Sequence, residues 1–269
     1  MENWIALNEG LKRYINPATF PVAISFLKQE SEIPPRARRP KRDLSVTLAP
    51  CQGAAMARRY GWTVAFAKED VGCAIAANSY GWERISGESQ AEGVVTFLTY
   101  MNYAGSPEAA REVLKGFRLL EAGEDLIVVY APLVKTKINP DIVLIYVNPA
   151  QLMRLIHGAT QATGKAVEGS FSGRAASCTE GVIGAFLDQR PKVVVPGNGD
   201  RVWGGCQDHE MAFALPGHQL EGLVEGLQKT HEKGIRYPIP TYLRYQPEVA
   251  FSIPLSDIFK PELQAKLKK

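Results

Sequence analysis

The sequence predicts an α+β fold of mixed sheets and short helices, with two pseudo-repeated halves and a chance likeness of two segments as equal alternatives. Three observations carry this expectation. Strand-like and helix-like segments alternate, but several of the helices are short and some strands are joined by loops too brief for a crossover helix, which argues against a regular doubly wound sheet. No Gly-x-Gly-x-x-Gly or Walker A pattern occurs, and Gly197-Asn198-Gly199 lacks both the third glycine and a following helix. Finally, one order of features occurs twice: cysteine, helix, strand, polar turn, Gly-Cys. It runs first from Cys51 to Gly72-Cys73 and again from Cys178 to Gly205-Cys206.

Taken in order, residues 3–14 place Trp4, Leu7, Leu11 and Tyr14 on one helical face, and Pro17 and Pro21 end that helix. Val22 to Leu27 reads as a buried strand. Residues 28–43 form a proline-rich loop carrying Arg36, Arg38, Arg39, Lys41 and Arg42, a charge run read as solvated surface ahead of a grip on phosphate. A helix from Gln52 to Tyr60 stops at Gly61, a strand covers Trp62 to Ala67, and a small-residue helix from Cys73 to Tyr80 stops at Gly81. Pro107 to Leu120 is amphipathic, with Ser106 as its cap and Pro107 at its first position. Leu126–Leu133 and Ile142–Val147 are apolar strands, and Pro149 opens a helix to about Thr163. Val167–Ser172 is predicted as a strand or its edge. Cys178 opens a helix to Leu187, and Val193–Val195 is a short strand. Gly197–Gly205 is a glycine-rich loop, Met211–Leu215 a strand and His218–Lys233 a helix stopped by Gly234. Tyr237-Pro238-Ile239-Pro240 is an extended exit, and the tail from Pro261 is a short amphipathic helix ending in Lys266, Lys268 and Lys269. This gives a single domain over 1–269, with two closely packed halves at about 17–122 and 124–240 and a C-terminal tail.

Composition sets the outer limits. The chain has 269 residues, 45% hydrophobic and 22% charged, an ordinary globular balance. Its net charge of +3 is too mild to argue for nucleic acid. The N-terminal stretch is acidic and lacks an apolar core or cleavage site, so no secretory signal is expected. No apolar run approaches the roughly 20 residues of a membrane span. A cytoplasmic protein is the expectation, without nucleic-acid or membrane partners.

The 4 cysteines are too sparse for a disulfide scaffold, and in a reducing compartment they read as metal-binding or redox-active first. Cys51, Cys73 and Cys178 each stand at or just before a predicted helix start. Free N–H groups and the positive end of the dipole favour a thiolate there. Glycine and alanine neighbours leave room for a bulky inorganic group. Four thiolates from separate loops can hold a [4Fe–4S] cluster or a tetrahedral zinc. The padding favours the cluster, with zinc or no cofactor as alternatives. No Cys-x-x-Cys pattern is present, and four buried small thiols are an even-handed alternative. Cysteine nucleophilic catalysis at Cys178, with Arg174 close by in sequence, ranks below metal binding because no His pairs with it. His209, near Cys206, reads as exposed before it reads as ligand or base, and His218 and His231 read as solvent-facing. Asp70, Glu180 and Arg201, each beside a cysteine, are the candidates to tune a cluster or hold a small anionic ligand.

Several segments together resemble one family. They are Phe20-Pro21-Val22-Ala23-Ile24; Cys51 with Glu69-Asp70 and Cys73; Pro140-Asp141 to Tyr146; Asn148-Pro149-Ala150-Gln151-Leu152-Met153-Arg154-Leu155; Ser177-Cys178-Thr179-Glu180; Gly199-Asp200-Arg201; and Tyr237-Pro238-Ile239-Pro240. This is similar to the domain of unknown function 169 (DUF169) family of bacteria and archaea, over nearly the whole chain. The resemblance implies a prokaryotic cytoplasmic protein, frequent in anaerobes, with no assigned activity. It also implies a last cysteine nearer the Gly-x-Arg stretch, which here has none. That makes Cys206 the least secure of the four candidate metal ligands Cys51, Cys73, Cys178 and Cys206, and keeps open a site of three thiolates with one free position.

The functional expectation is therefore an iron–sulfur protein with a redox, cluster-dependent or sensing role and an unidentified small-molecule or redox partner. The alternatives are a non-redox small-molecule module with structural thiols and a zinc-stabilised protein. Whether it is an enzyme, and its oligomeric state, stay open.

Overall fold

The structure, a computed structural model, describes residues 4–121 and 123–238, together with 257, 259–262 and 265. The chain divides into two compact units, Met1–Pro238 and Ile239–Lys269. Sheet and cavity both belong to the first. Its strands are β1 (Val22–Leu27), β2 (Val64–Phe66), β3 (Ile127–Pro132), β4 (Ile142–Val147), β5 (Lys192–Val194) and β6 (Met211–Pro216). They form one antiparallel sheet in the order β2-β3-β1-β4-β6-β5. The mixed α+β class holds.

β3 and β4 are buried at every position. A strand apolar on both faces needs cover on both, and helices supply it. The alternation of a pleated strand sorts the side chains. Ala23, Val143, Ile145, Val147, Phe213 and Leu215 face one way, against α1 (Trp4–Ile15), α7 (Pro149–Thr160) and α10 (Leu220–Glu232). Val22, Ile24, Phe66, Tyr130, Leu144 and Ala214 face the other. There they meet α3 (Pro50–Ala55), α4 (Ala74–Tyr80) and a π-type segment, Ala176–Ile183, that runs on into α8 (Gly184–Asp188). β6 offers that face only Ala212 and Ala214. This small surface admits the wide helix, whose Gly181 leaves no room for a Cβ beside Val194. α3 likewise continues in π-type turns through Met56–Tyr60 and stops at Gly61, whose φ of 69° suits glycine.

The segment from Asn148 to Leu155 is a structural staple. Asn148 caps α7 by accepting the Gln151 N–H at 2.9 Å, and Gln151 accepts the Asn148 N–H at 2.8 Å. The Gln151 amide then donates to the carbonyls of Ile15 and Asn16, which close α1. The fully buried Arg154 donates to Leu227 O and Thr230 Oγ1 near the end of α10. α7 thus ties the other two helices of its layer by their C-terminal ends.

Several expected boundaries shift. The helix from Ser106, whose Oγ accepts the Ala109 N–H as expected, is α6 (Pro107–Gly116) and does not reach Leu120. Before it lies an unexpected helix, α5 (Gly87–Tyr100). Only Val95 and Leu98 of α5 are buried, so its apolar stripe is too thin to read. Val167–Ser172 contributes a single bridge, Glu168 to Lys192, in place of a strand. The Gly197–Gly205 loop contains a short helix, α9 (Asn198–Val202), whose first turn is closed by Asp200. The basic loop includes the short α2 (Pro40–Leu44). The exit beyond Pro238 lies outside the described residues, as does most of the tail from Pro261. No described helix is long and apolar enough to cross a membrane.

Candidate functional site

Three of the four cysteines meet. Cys51 is the second residue of α3, Cys73 is the N-cap of α4, and Cys178 lies in the first turn of Ala176–Ile183. All three line one cavity of about 620 Å³. Its walls are otherwise mostly apolar, with Leu48, Ile75 and Leu98 among them, and its polar points are Thr47, Gln52, Tyr103, Arg174, Asn198 and Asp200. The small residues around the cysteines bring protein segments into contact, where the sequence reading had them making room for a cofactor. A Cβ on Gly204 would lie 3.2 Å from the Cys51 carbonyl oxygen, and one on Gly53 would lie 2.4 Å from the Phe66 ring. A Cβ on Gly197 would lie 1.7 Å from the Arg174 carbonyl oxygen, so this contact between α9 and the 172–175 loop requires glycine.

The helix starts do not leave Cys51 and Cys178 ionised. Burial, then the nearby Asp200 and Cys73, push the Cys51 thiol up to about 12. Burial, Asp200 and the other two thiols push Cys178 well above its ordinary value. Hydrogen bonds from helix-start N–H groups act the other way, and desolvation outweighs them. As neutral thiols both find acceptors: Cys51 donates to Gly199 O at 3.7 Å and Cys178 to Ala175 O at 3.6 Å. Asp200 is itself buried, and burial raises its carboxyl even though Oδ2 accepts the Gly197 and Ser177 N–H groups. It fastens α9 to the helix of Cys178.

The remaining candidates lie elsewhere. Cys206 is buried but is not among the cavity residues. Its thiol meets the Glu210 carboxylate and is pushed up to about 12, first by burial and then by that charge. Glu210 is paired with Arg58 at 2.7 and 2.9 Å, and Arg58 stacks on Tyr146. Asp70 is fully buried and accepts from Arg39 Nε and from the N–H groups of Lys41 and Ala67, so it braces the loop before Cys73. Glu180 accepts the Ser172 N–H with one oxygen, and its other oxygen is enclosed without a hydrogen-bond partner. Arg201 donates to Gln207 O. None of Asp70, Glu180 and Arg201 lines the cavity. The basic loop is only partly solvated: Arg39 pairs with Asp70, Glu69 and Glu30, and Arg38 stacks on Trp62, while Arg36, Lys41 and Arg42 are exposed. His209 lines a second, polar cavity of about 410 Å³ with Asn148, Glu210 and Tyr237. His231 packs against Tyr14 and does not face solvent freely. The cavity residues that sequence reasoning missed are Phe97, Met101, Tyr103, Asn198 and Trp203. They come from α5, the turn after it and α9, none of which carried a readable signal.

Among the described residues, no set of three His, Cys, Asp or Glu side chains is arranged to hold a single metal ion. A compact zinc site therefore gains no support.

A profile of the family described as "Uncharacterised ArCR" (DUF169) matches residues 10–226. The chain belongs to the DUF169 family. This DUF169 protein is also similar to the "Uncharacterized protein MJ0308" of Methanocaldococcus jannaschii, at 27% identity over 121 residues, covering 45% of this chain and 52% of that protein. The chain thus spans about half the length of the relative it matches. No solved structure matches it. Within this DUF169 chain, the Asn148–Leu155 segment that carried the resemblance holds helices together, and the cysteine segments line the cavity.

Proposed function

We propose that this is an iron–sulfur protein in which Cys51, Cys73 and Cys178 hold a [4Fe–4S] cluster with one iron left open to the cavity, in a redox, cluster-dependent or sensing role. The observation that carries the reading is the convergence of three thiols, from three separate helix starts, on one cavity that Cys206 does not reach. A single ion needs donors gathered at about 2.0–2.3 Å from one point. A cluster brings its own sulfides and accepts thiolates that stand further apart. The neutral thiols fit this assignment. Metal binding must displace their protons, so loading is coupled to proton release, and iron supplies the positive charge that the cavity's thiols lack.

When bound, the cluster supplies electron transfer or a Lewis-acidic iron. The chain's own part is to hold it and dry it. The three cysteines anchor it, Asp200 keeps α9 over Cys51, and the apolar wall limits water. The 4 free cysteines suit a reducing compartment, which supports placement in the cytoplasm. β1–β3 and β4–β6 are joined in one pattern, β2-β3-β1 and β5-β6-β4, with a cysteine helix ahead of β2 and of β5, which would put the boundary of a repeat after β3 and not at about residue 123. This supports the reading of two duplicated halves.

A second reading, a non-redox small-molecule pocket with structural thiols, is favoured by the S–H hydrogen bonds of Cys51 and Cys178. Purification without oxygen separates the two. The cluster reading expects brown protein with iron and sulfide in equal amounts. Colour is lost in Cys51→Ser and Cys178→Ser and kept in Cys206→Ala. A folded protein that stays colourless and iron-free after anaerobic reconstitution with iron and sulfide overturns it.

A further inference from the structure

We propose that the small molecule taken by this cavity is an organic carboxylate with a flat apolar body, its carboxylate held by Arg174. The inference rests on the cavity being a small-molecule site, which the cluster reading also requires, but not on the cluster itself. The volume of about 620 Å³ is within the roughly 300–1,000 Å³ range of small-molecule sites.

Among the described residues, Arg174 is the only arginine or lysine lining the cavity. Its situation differs from that of the buried Arg39 and Arg58, which both meet carboxylates. Arg174 Nη1 donates to Ser172 O at 3.2 Å and Nη2 to Tyr103 O at 2.6 Å, both neutral carbonyls. Among the described residues it forms no ion pair. Its Nε is enclosed with no hydrogen-bond partner. A guanidinium carries five N–H groups, so beside the enclosed Nε–H one N–H on each of Nη1 and Nη2 is unspent. The acid that shares the cavity, Asp200, directs Oδ2 to the Gly197 and Ser177 N–H groups instead. What remains is a full positive charge with donors in a fork, the shape that matches a carboxylate.

The rest of the wall describes the body of the ligand. Phe97 is 56% exposed, Met101 48% and Trp203 57%, and all three line the same cavity. Exposed large side chains gathered at a concave site mark apolar recognition. Asn198 Nδ2, 3.3 Å from Tyr103 Oη, adds one polar point. Inorganic phosphate fits less well. It carries about 1.5 to 2 negative charges near neutral pH, and one guanidinium, with no second cation among the described residues of the cavity, does not balance them.

The test is calorimetry with benzoate, its neutral isostere benzamide, and inorganic phosphate. It is run on reduced metal-free protein and on protein reconstituted with iron and sulfide. Benzoate is expected to bind at least about tenfold more tightly than benzamide or phosphate. Arg174→Met should bring benzoate down to the level of benzamide and leave benzamide unchanged, which also shows that the cavity has kept its shape. Trp203→Ala should weaken both ring compounds alike. Equal binding of benzoate and benzamide, a preference for phosphate, or benzoate binding indifferent to Arg174→Met overturns the proposal. Arg174-dependent benzoate binding in a protein that never takes up iron upholds it while the cluster reading falls. A brown protein that ignores benzoate does the reverse.

Discussion

Replacing Glu210 by glutamine removes one charge from a pair that joins two walls of the fold. Arg58 lies on the continuation of the Cys51 helix, and Glu210 closes the loop after α9. Their side chains are 1% and 8% exposed, and two hydrogen bonds of 2.7 and 2.9 Å link them. Arg59 at 3.3 Å and the Gln207 N–H at 2.8 Å also reach the carboxylate. Burial alone would raise the Glu210 carboxyl, but the hydrogen bonds from Arg58 and Gln207 overcome it and hold it at about 2. From an ordinary 4.5 to about 2, at 1.36 kcal/mol per pH unit, the ionised form gains roughly 3 kcal/mol. Breaking a buried pair by removing one partner costs about 3–5 kcal/mol, an independent route to a similar figure. Glu210→Gln should therefore lose about 3 kcal/mol in urea unfolding at neutral pH, followed by tryptophan fluorescence. The folded value is depressed, so the stabilisation is present above 4.5 and lost as the pH falls toward 2. The gap between wild type and Glu210→Gln should narrow as the pH falls from about 5 toward 2. Arg58→Met with Glu210→Leu should cost less than either single change, since no charge is then stranded. A loss below about 1 kcal/mol, or one that does not change with pH, would refute this account of the pair.

Three further outcomes are expected. Gln151→Ala removes the donor to Ile15 O and Asn16 O, and should lower stability by about 1–3 kcal/mol while iron uptake per folded molecule is unchanged. Gly197→Ala places a methyl against the Arg174 backbone, and should cost about 1–3 kcal/mol by thermal melting and weaken benzoate binding. Cys206, buried and pushed up from 9.0 to about 12, should be alkylated at pH 8 about a thousandfold more slowly in folded than in unfolded protein, measured by mass spectrometry.

Much of the fold was legible because burial leaves direct traces. β1 and β4 have the limits read from their apolar runs, and α1 shows its buried face at regular spacing. The glycine stops at Gly61, Gly81 and Gly234 were legible because each takes a positive φ. α5 was not, since two buried residues in fourteen give no period. In the candidate site, the helix-start placement of Cys51, Cys73 and Cys178 was readable locally. Their convergence was not: the helices of Cys51 and Cys178 lead into β2 and β5, at opposite edges of the sheet, and only the strand order brings their starts to one cavity. The charged candidates do not line the cavity, because proximity in sequence to a cysteine says little about direction. Asp70 turns to Arg39, and Arg201 to the loop beyond α9. Arg174 was visible only as a neighbour of Cys178. That it meets no acidic partner among the described residues is a property of the folded chain.

The cavity wall is gathered from widely separated parts of the sequence, from Thr47 in the first half to Trp203 near the end of the sheet. During synthesis on the ribosome, Cys51 and Cys73 emerge long before Cys178, and α9, whose Gly199 carbonyl accepts the Cys51 thiol, emerges later still. A nascent chain therefore displays two thiols with no roof over them until the last wall arrives. A ligand would meet the complete wall only after translation has passed α9.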